Sequence, residues 1–191
     1  MKVFFKRFII VLLLISFSLT MTGCGILKKI SNILHFGEAS NFEYGVTALQ
    51  WLSTVQERAL QWSPDAYFYG ITETPVNKDG ASDKWNYLFY SPGTEKVGTV
   101  TYEAGFVSFK ETVLPPLNQI RNLRLDSPAA LNLANQNGGT EFIANNQNVS
   151  VIMSLYGPRS GAGSSTWYIK YYGDVKSLTF LVDAATGKLI K

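Results

Sequence analysis

The spacing of apolar positions changes character along the chain. Phe8 to Leu19 (FIIVLLLISFSL) is an unbroken apolar run. Leu49, Leu52, Val55, Ala59 and Trp62 then recur every three or four residues. That period puts them on one face and predicts a helix from about Tyr44 to Gln61, ended by Pro64, whose ring clashes with a preceding carbonyl. Trp51 and Trp62 are expected in its packing. Alternation follows. Lys84 to Tyr90 carries Trp85, Tyr87 and Phe89 in one phase, and Tyr67 to Val76, Lys96 to Tyr102 and Phe106 to Lys110 are the other predicted strands of the first half. Asn77 to Ser82 (NKDGAS), Ser91-Pro92-Gly93 and Glu103-Ala104-Gly105 supply turn residues between them, as an antiparallel meander requires.

The pattern then starts again. Asp126 or Ser127 caps a second helix with Pro128 in its first turn, Gly138-Gly139 breaks it, and Thr140 to Asn145 makes a further turn. Val149 to Tyr156, Thr166 to Tyr172 and Ser177 to Asp183 read as strands, and Asp183 to Gly187 turns into Lys188 to Lys191, expected to close the sheet. Gly157 to Ser165 (GPRSGAGSS) takes the loop position of NKDGAS. A slide of 82 positions lays Trp167 on Trp85, Tyr172 on Tyr90, Val182 on Val100 and Gly187 on Gly105 without a gap, and carries Ala130 and Leu131 onto Ala48 and Leu49. The expected fold is therefore α+β: two tandem modules, each a helix packed on a three- to four-stranded antiparallel sheet. The first repeat spans 38–112 and the second 126–191. Between them lies a linker, 113–125, stiffened by Pro115-Pro116 but bearing Leu114, Leu117, Ile120, Leu123 and Leu125, and so expected to pack across both halves.

The opening apolar run has its own explanation. Twelve residues are too few for a membrane-spanning helix, which needs about 20. Lys2, Lys6 and Arg7 precede the run and Met21-Thr22-Gly23-Cys24 follows it, the order of a signal peptide over residues 1–23. Small residues before a cysteine resemble the bacterial lipobox, with Met21 where leucine is usual. That resemblance implies a diacylglycerol thioether on Cys24, a palmitate-type lipid anchor and attachment to the membrane. Residues 24–37 would be a lipidated tether, either lying on the membrane through Ile26, Ile30, Ile33 and Leu34 or acting as a plain linker. Gly25 stands where an aspartate would favour inner-membrane retention, which points to the outer membrane if the organism has two. The localisation expected is the cell envelope.

Cleavage changes the charge as well. The full chain has 17 Lys and Arg against 14 Asp and Glu. Loss of Lys2, Lys6 and Arg7 leaves 14 of each, so the mature chain lacks the basic excess that nucleic acid would require. With Cys24 the single cysteine, no internal disulfide forms and a hydrophobic core must hold the fold.

The chemistry available is narrow. His35, the sole histidine, lies in the tether, which excludes a core Ser-His-Asp triad, a Cys-His pair and an H-E-x-x-H zinc site. Neither a C-x-x-C nor a phosphate-binding glycine loop occurs. Asp174 and Asp183 flank one strand but sit in turns that favour aspartate for its local hydrogen bonds. The Asn/Gln-rich stretch 132–148 reads as solvation of a helix end. No catalytic residue, metal or cofactor is expected. The aromatics of the strands are more numerous than one sheet face must bury. Trp85, Tyr87, Trp167, Tyr171 and Tyr172 are the candidate ligand-binding residues if one set faces outward, since Tyr and Trp give contact area with few rotors to freeze; core packing is the alternative reading of the same set.

From Trp167 to Ile190 the pattern W-x-I-x-Y-x(9)-F-x-V-D-A-A-T-G-K-L-I resembles the end of a PepSY domain. Most of the likeness lies in Asp126 to Lys191. The first repeat shares it through the internal slide and reads TYEAG at 101–105, without the D-x-x-T-G turn. The resemblance implies a small α+β module that inhibits peptidases or binds ligands at the cell surface. The function expected is a non-catalytic, envelope-anchored lipoprotein binding or inhibiting a protein or peptide, with a peptidase among the candidate partners. The alternative is a carbohydrate-binding or enzyme-accessory lipoprotein of the cell wall.

Overall fold

Strand β1 (Tyr67–Val76) and strand β5 (Ser150–Tyr156), the first strands of the two sequence repeats, lie side by side and antiparallel. That pairing decides the architecture. The computed structural model describes residues 45–113, 115, 118–158 and 163–190, all within one compact unit, Asn41–Lys191. The signal peptide 1–23, the tether 24–37 with Cys24 and His35, and residues 38–44 of the first repeat lie outside the described residues.

Helix α1 (Leu52–Trp62) precedes β1, which runs into β2 (Lys84–Ser91), β3 (Lys96–Glu103) and β4 (Phe106–Thr112). Helix α2 (Ser127–Ala134), a π-helical turn at Asn135–Gly139 and helix α3 (Thr140–Ala144) precede β5, which runs into β6 (Thr166–Tyr172) and β7 (Ser177–Asp183). The strands form one seven-stranded antiparallel sheet in the order β4-β3-β2-β1-β5-β6-β7. This corrects the expectation of two tandem helix-on-sheet modules. Each half is too small to enclose its own core, and an unpaired β1 or β5 would leave a row of backbone groups open. Pairing the two first strands closes both edges and makes one core.

That core lies on the helix side of the sheet. It holds Trp85, Tyr87, Phe89 and Val100 from one half, and Trp167, Ile169, Tyr171 and Val182 from the other. Val55 and Ala59 of α1 and Ala130, Leu131 and Ala134 of α2 pack over them.

Local chemistry explains the elements. Helix α1 is shorter than its periodicity suggests: the chain turns through 47–51 and becomes helical at Leu52. Asp126 caps α2 by accepting from Ser127 N, and Pro128 occupies the first turn, where a missing N–H costs nothing. At Gly138 φ reaches 123°, which breaks the helix between α2 and α3. The β3–β4 hairpin turns through Ala104 and Gly105, both at positive φ (49° and 92°), a type I′ turn that glycine favours. Gly187, its partner under the slide, also has positive φ (70°).

The β6–β7 register is displaced by two residues relative to β2–β3: Val100 faces Tyr87, whereas Val182 faces Trp167 rather than Ile169. A two-residue shift leaves every side chain on its original face. Residues 188–190 make one bridge, Val182 to Leu189, in place of the expected closing strand. Lys191 lies outside the described residues.

The inter-repeat segment does bind both halves. Ile120 N donates to Phe68 O, and Arg124 N and Leu125 N donate to Ala184 O. Ile120, Leu123 and Leu125 join the core; Leu114, Pro116 and Leu117 lie outside the described residues.

Candidate functional site

Among the described residues, no helix covers the sheet's second face. Alternation along the strands sends Trp85, Tyr87, Trp167 and Tyr171 to the helix side, where all four are fully buried. Trp85 and Trp167 donate their indole N–H groups to Val46 O and Leu125 O. Tyr87 donates to Ala48 O and Tyr171 to the Asn135 amide oxygen. Burial pushes both phenols up from their usual pKa. These four candidate binding residues are therefore core, each with its polar atom already engaged. Tyr172, the fifth, points to the open face at the far end of β6, half-buried, with Lys170 Nζ 4.3 Å from its ring centre.

The rings that gather on the open face belong to the other phase. Tyr67 and Tyr69 from β1, Tyr90 from β2, Tyr156 from β5 and Tyr168 from β6 converge at one end. The antiparallel order brings the start of β1 beside the ends of β2 and β5 and the start of β6. Tyr67 packs edge-on against Tyr90, with centroids 5.6 Å apart, and Tyr156 against Tyr168 at 5.5 Å and 75°. Tyr69, in phase with Tyr67, packs in this cluster with Leu88 and Val97; the β-bulge between Phe68 and Gly70 then places Ile71 opposite Tyr87 in the helix-side core.

Tyr69 is 1% exposed, and among the described residues its hydroxyl has no hydrogen-bond partner. Burial, then the neighbouring Tyr67 and Tyr156, push its pKa up to about 12, so it stays a neutral phenol. Burial and Tyr90 also raise Tyr67.

Beside this cluster runs a groove of about 490 Å³, lined by Tyr156, Gly157, Pro158, Ser164, Thr166, Tyr168, Leu181 and Ile190. Among the described residues that line it, none is charged. Its floor is the β5–β6–β7 surface. One wall is the last stretch of chain, where Ile190 N donates to Leu181 O at 2.8 Å. The other is Gly157-Pro158, held in place by Gly157 N donating to Tyr69 O and by the Asn118 amide donating to Pro158 O. Glycine is required at 157, because a Cβ there would lie 1.9 Å from Asn118 O.

Other polar candidates are committed to the fold. Asp174 accepts from Asn148, whereas Asp183 accepts from Ala185 N and Thr186 N at the opposite end of β7. The two carboxylates do not meet. Asn135, Asn137 and Asn146 serve Tyr171, Leu133 O and Phe142 O. Among the described residues no three His, Cys, Asp or Glu side chains gather as metal ligands, and no helix is long and apolar enough to cross a membrane.

The open-face tyrosines escaped the sequence reading, yet a signal for them exists. In β2 and β6 the phase holding tryptophan also holds Tyr87 and Phe89, or Ile169 and Tyr171; the opposite phase, with Asn86 and Tyr90 or Tyr168 and Lys170, mixes rings with polar residues. An amphipathic ring in the mixed phase suits a half-exposed surface.

No family model, curated protein sequence or solved structure matches the chain.

Proposed function

We propose that this chain is a non-catalytic lipoprotein of the cell envelope, anchored through lipid on Cys24, whose groove at the tyrosine end of the sheet binds a peptide or protein segment. The observation that carries the reading is the shape of the groove walls. Tyr156 and Tyr168 meet edge to face at 75°, and Pro158, Leu181 and Ile190 complete a trench whose described lining carries no charge. A sugar ring stacks on coplanar, outward-facing aromatics. Crossed rings with aliphatic walls suit side chains of an extended peptide, while Ser164 and Thr166 offer hydroxyls to its backbone. The PepSY-like pattern of the second half supports the same class, with a peptidase among the partners to try. The lipobox-like MTGC and the apolar run before it support the envelope location, the outer membrane if there are two.

The test is titration of the purified chain with extended apolar peptides, with envelope peptidases and with peptidoglycan fragments, following amide shifts of Thr166 to Tyr168. Peptide or peptidase binding that Tyr168→Ala weakens tenfold or more is the expected result. Saturable binding of the sugar fragments alone, or reproducible turnover of any bond, overturns it. Labelled palmitate should enter the parent chain and not Cys24→Ser.

A further inference from the structure

We infer that β4 is a self-association edge: two copies join β4 to β4, antiparallel, about a two-fold axis through Phe109, making one continuous sheet. The argument is independent of the groove and begins with backbone groups. Strand β4 ends the sheet order, and among the described residues nothing pairs with its outer side. Glu103 and Phe106 flank a two-residue turn, so they form a hydrogen-bonded pair. Alternation then directs Ser108 and Lys110 inward to Thr101 and Thr99, and leaves the N–H and C=O groups of Val107, Phe109 and Glu111 facing outward.

This edge lacks two of the usual structural defences, a bulge and a proline, and carries a third, charge, at Lys110 and Glu111. Its register with β3 runs unbroken from Val97 and Thr112 to Glu103 and Phe106, with no bulge, and the strand contains no proline. Phe106 at its start is 79% exposed. The opposite edge is different. Beside β7, Leu189 bridges to Val182, Lys188 O accepts from Asp183 N, and Ile190 N donates to Leu181 O. One free edge and one part-covered edge limit the assembly. A β4-to-β7 contact, which would propagate as a fibre, finds residues 181–183 of β7 already paired and only residues 177–180 to meet, whereas β4-to-β4 pairing uses the whole strand and closes after two copies.

The sequence of β4, FVSFKET, selects the register. Centred on Phe109, the pairing sets Phe109 against Phe109, Val107 against Glu111 and Ser108 against Lys110, and every outward-bonding residue meets another. Moving the centre to 110 or 111 sets Lys110 against Lys110 or Glu111 against Glu111, like charges directly opposite. Moving it to 108 shortens the overlap. The Phe109 ring is already positioned, 5.0 Å from Trp62 and beneath the Arg58 guanidinium at 5.2 Å. Lys96 and Trp62 hold the Glu111 carboxylate on the helix side. Little side-chain ordering remains to oppose association.

The register gives a sharp test in the full chain. Ser108 and Lys110 are exposed, and in the pairing they face each other as a non-hydrogen-bonded pair, the closer of the two pair types. The double variant Ser108→Cys/Lys110→Cys, mildly oxidised, should become mainly a disulfide-linked dimer joining position 108 of one copy to position 110 of the other, identified by mass spectrometry of proteolytic fragments. Either single variant and the parent chain, which controls for Cys24, should remain uncross-linked. Adding Val107→Pro removes an outward N–H without touching the β3 ladder. It should abolish the cross-link while the circular dichroism spectrum stays that of the parent. No dimer from the double variant, a 108-to-108 link, or a cross-link that survives Val107→Pro overturns the inference, as does an edge found filled by a foreign strand.

Discussion

Trp85 and Trp167 stand 82 positions apart and do the same thing at opposite ends of one sheet. Each is fully buried, and each donates its indole N–H to a backbone carbonyl of the segment entering its own half, Val46 O at 2.8 Å and Leu125 O at 2.9 Å. Because the halves share one core, the two tryptophans support a single cooperative structure. Trp85→Phe and Trp167→Phe should each destabilise the fold by about 1–3 kcal/mol, the cost of stranding a buried carbonyl. Urea unfolding of either variant, followed by fluorescence and by circular dichroism, should show one coincident transition at a lower midpoint. Two separable transitions would mean that the halves fold independently.

A second link joins the halves at the N-terminus of α2. Asp126 Oδ1 accepts from Leu49 N, and Ser127 Oγ accepts from Ala48 N, both at 3.0 Å. The helix cap of the second half thus also clamps the chain ahead of the first helix. Ser127→Ala should cost about 1–3 kcal/mol, because the buried Ala48 N–H loses its partner. Hydrogen exchange should locate the effect: the amide of Ala48 loses protection in Ser127→Ala and that of Leu49 in Asp126→Ala, while β3 amides keep theirs. Unchanged protection at 48 and 49 would show that these bonds do not hold the segment.

Two glycines should respond differently to alanine. At Gly157 the new Cβ would meet Asn118 O at 1.9 Å, so the inter-repeat segment must move and the groove wall with it. Gly105, at φ 92°, has nothing within 4 Å, and only backbone strain opposes a side chain. Gly157→Ala should cost about 2–3 kcal/mol by overpacking, and Gly105→Ala about 1 kcal/mol. Thermal midpoints rank the two, and the reverse order would contradict the close approach at 157.

Asp65 makes stability depend on acid. Its carboxylate accepts from Ser91 Oγ, Ser63 Oγ and Gly93 N, and these bonds, Ser91 first, hold its pKa below the ordinary value of 3.8. A group whose pKa falls on folding contributes stability that is complete above its unfolded pKa and is lost as pH falls through the folded one. The parent chain should therefore lose this contribution as pH drops below about 4. Asp65→Asn should be less stable than the parent at neutral pH and show a shallower acid loss in urea titrations. Parallel pH profiles for the two proteins would remove Asp65 from the account.

Several elements were legible because their causes are local. The period of Leu52, Val55 and Ala59, the cap at Asp126, the break at Gly138 and the alternation of Trp85, Tyr87 and Phe89 act within a few residues, and β1, β6 and β7 lie where those patterns place them. The 82-residue repeat is likewise written in the chain. What it could not convey is how the copies meet. Joining β1 to β5 turns two expected sheets into one, and the hydrogen bonds that do so are backbone groups common to every residue type. The same limit governs the site. Alternation sorts aromatics into two phases, but only the shared core determines that the tryptophan phase is buried on both sides of the join. Only the antiparallel order of the finished sheet gathers Tyr67, Tyr69, Tyr90, Tyr156 and Tyr168, drawn from distant stretches of chain, at one end of its open face.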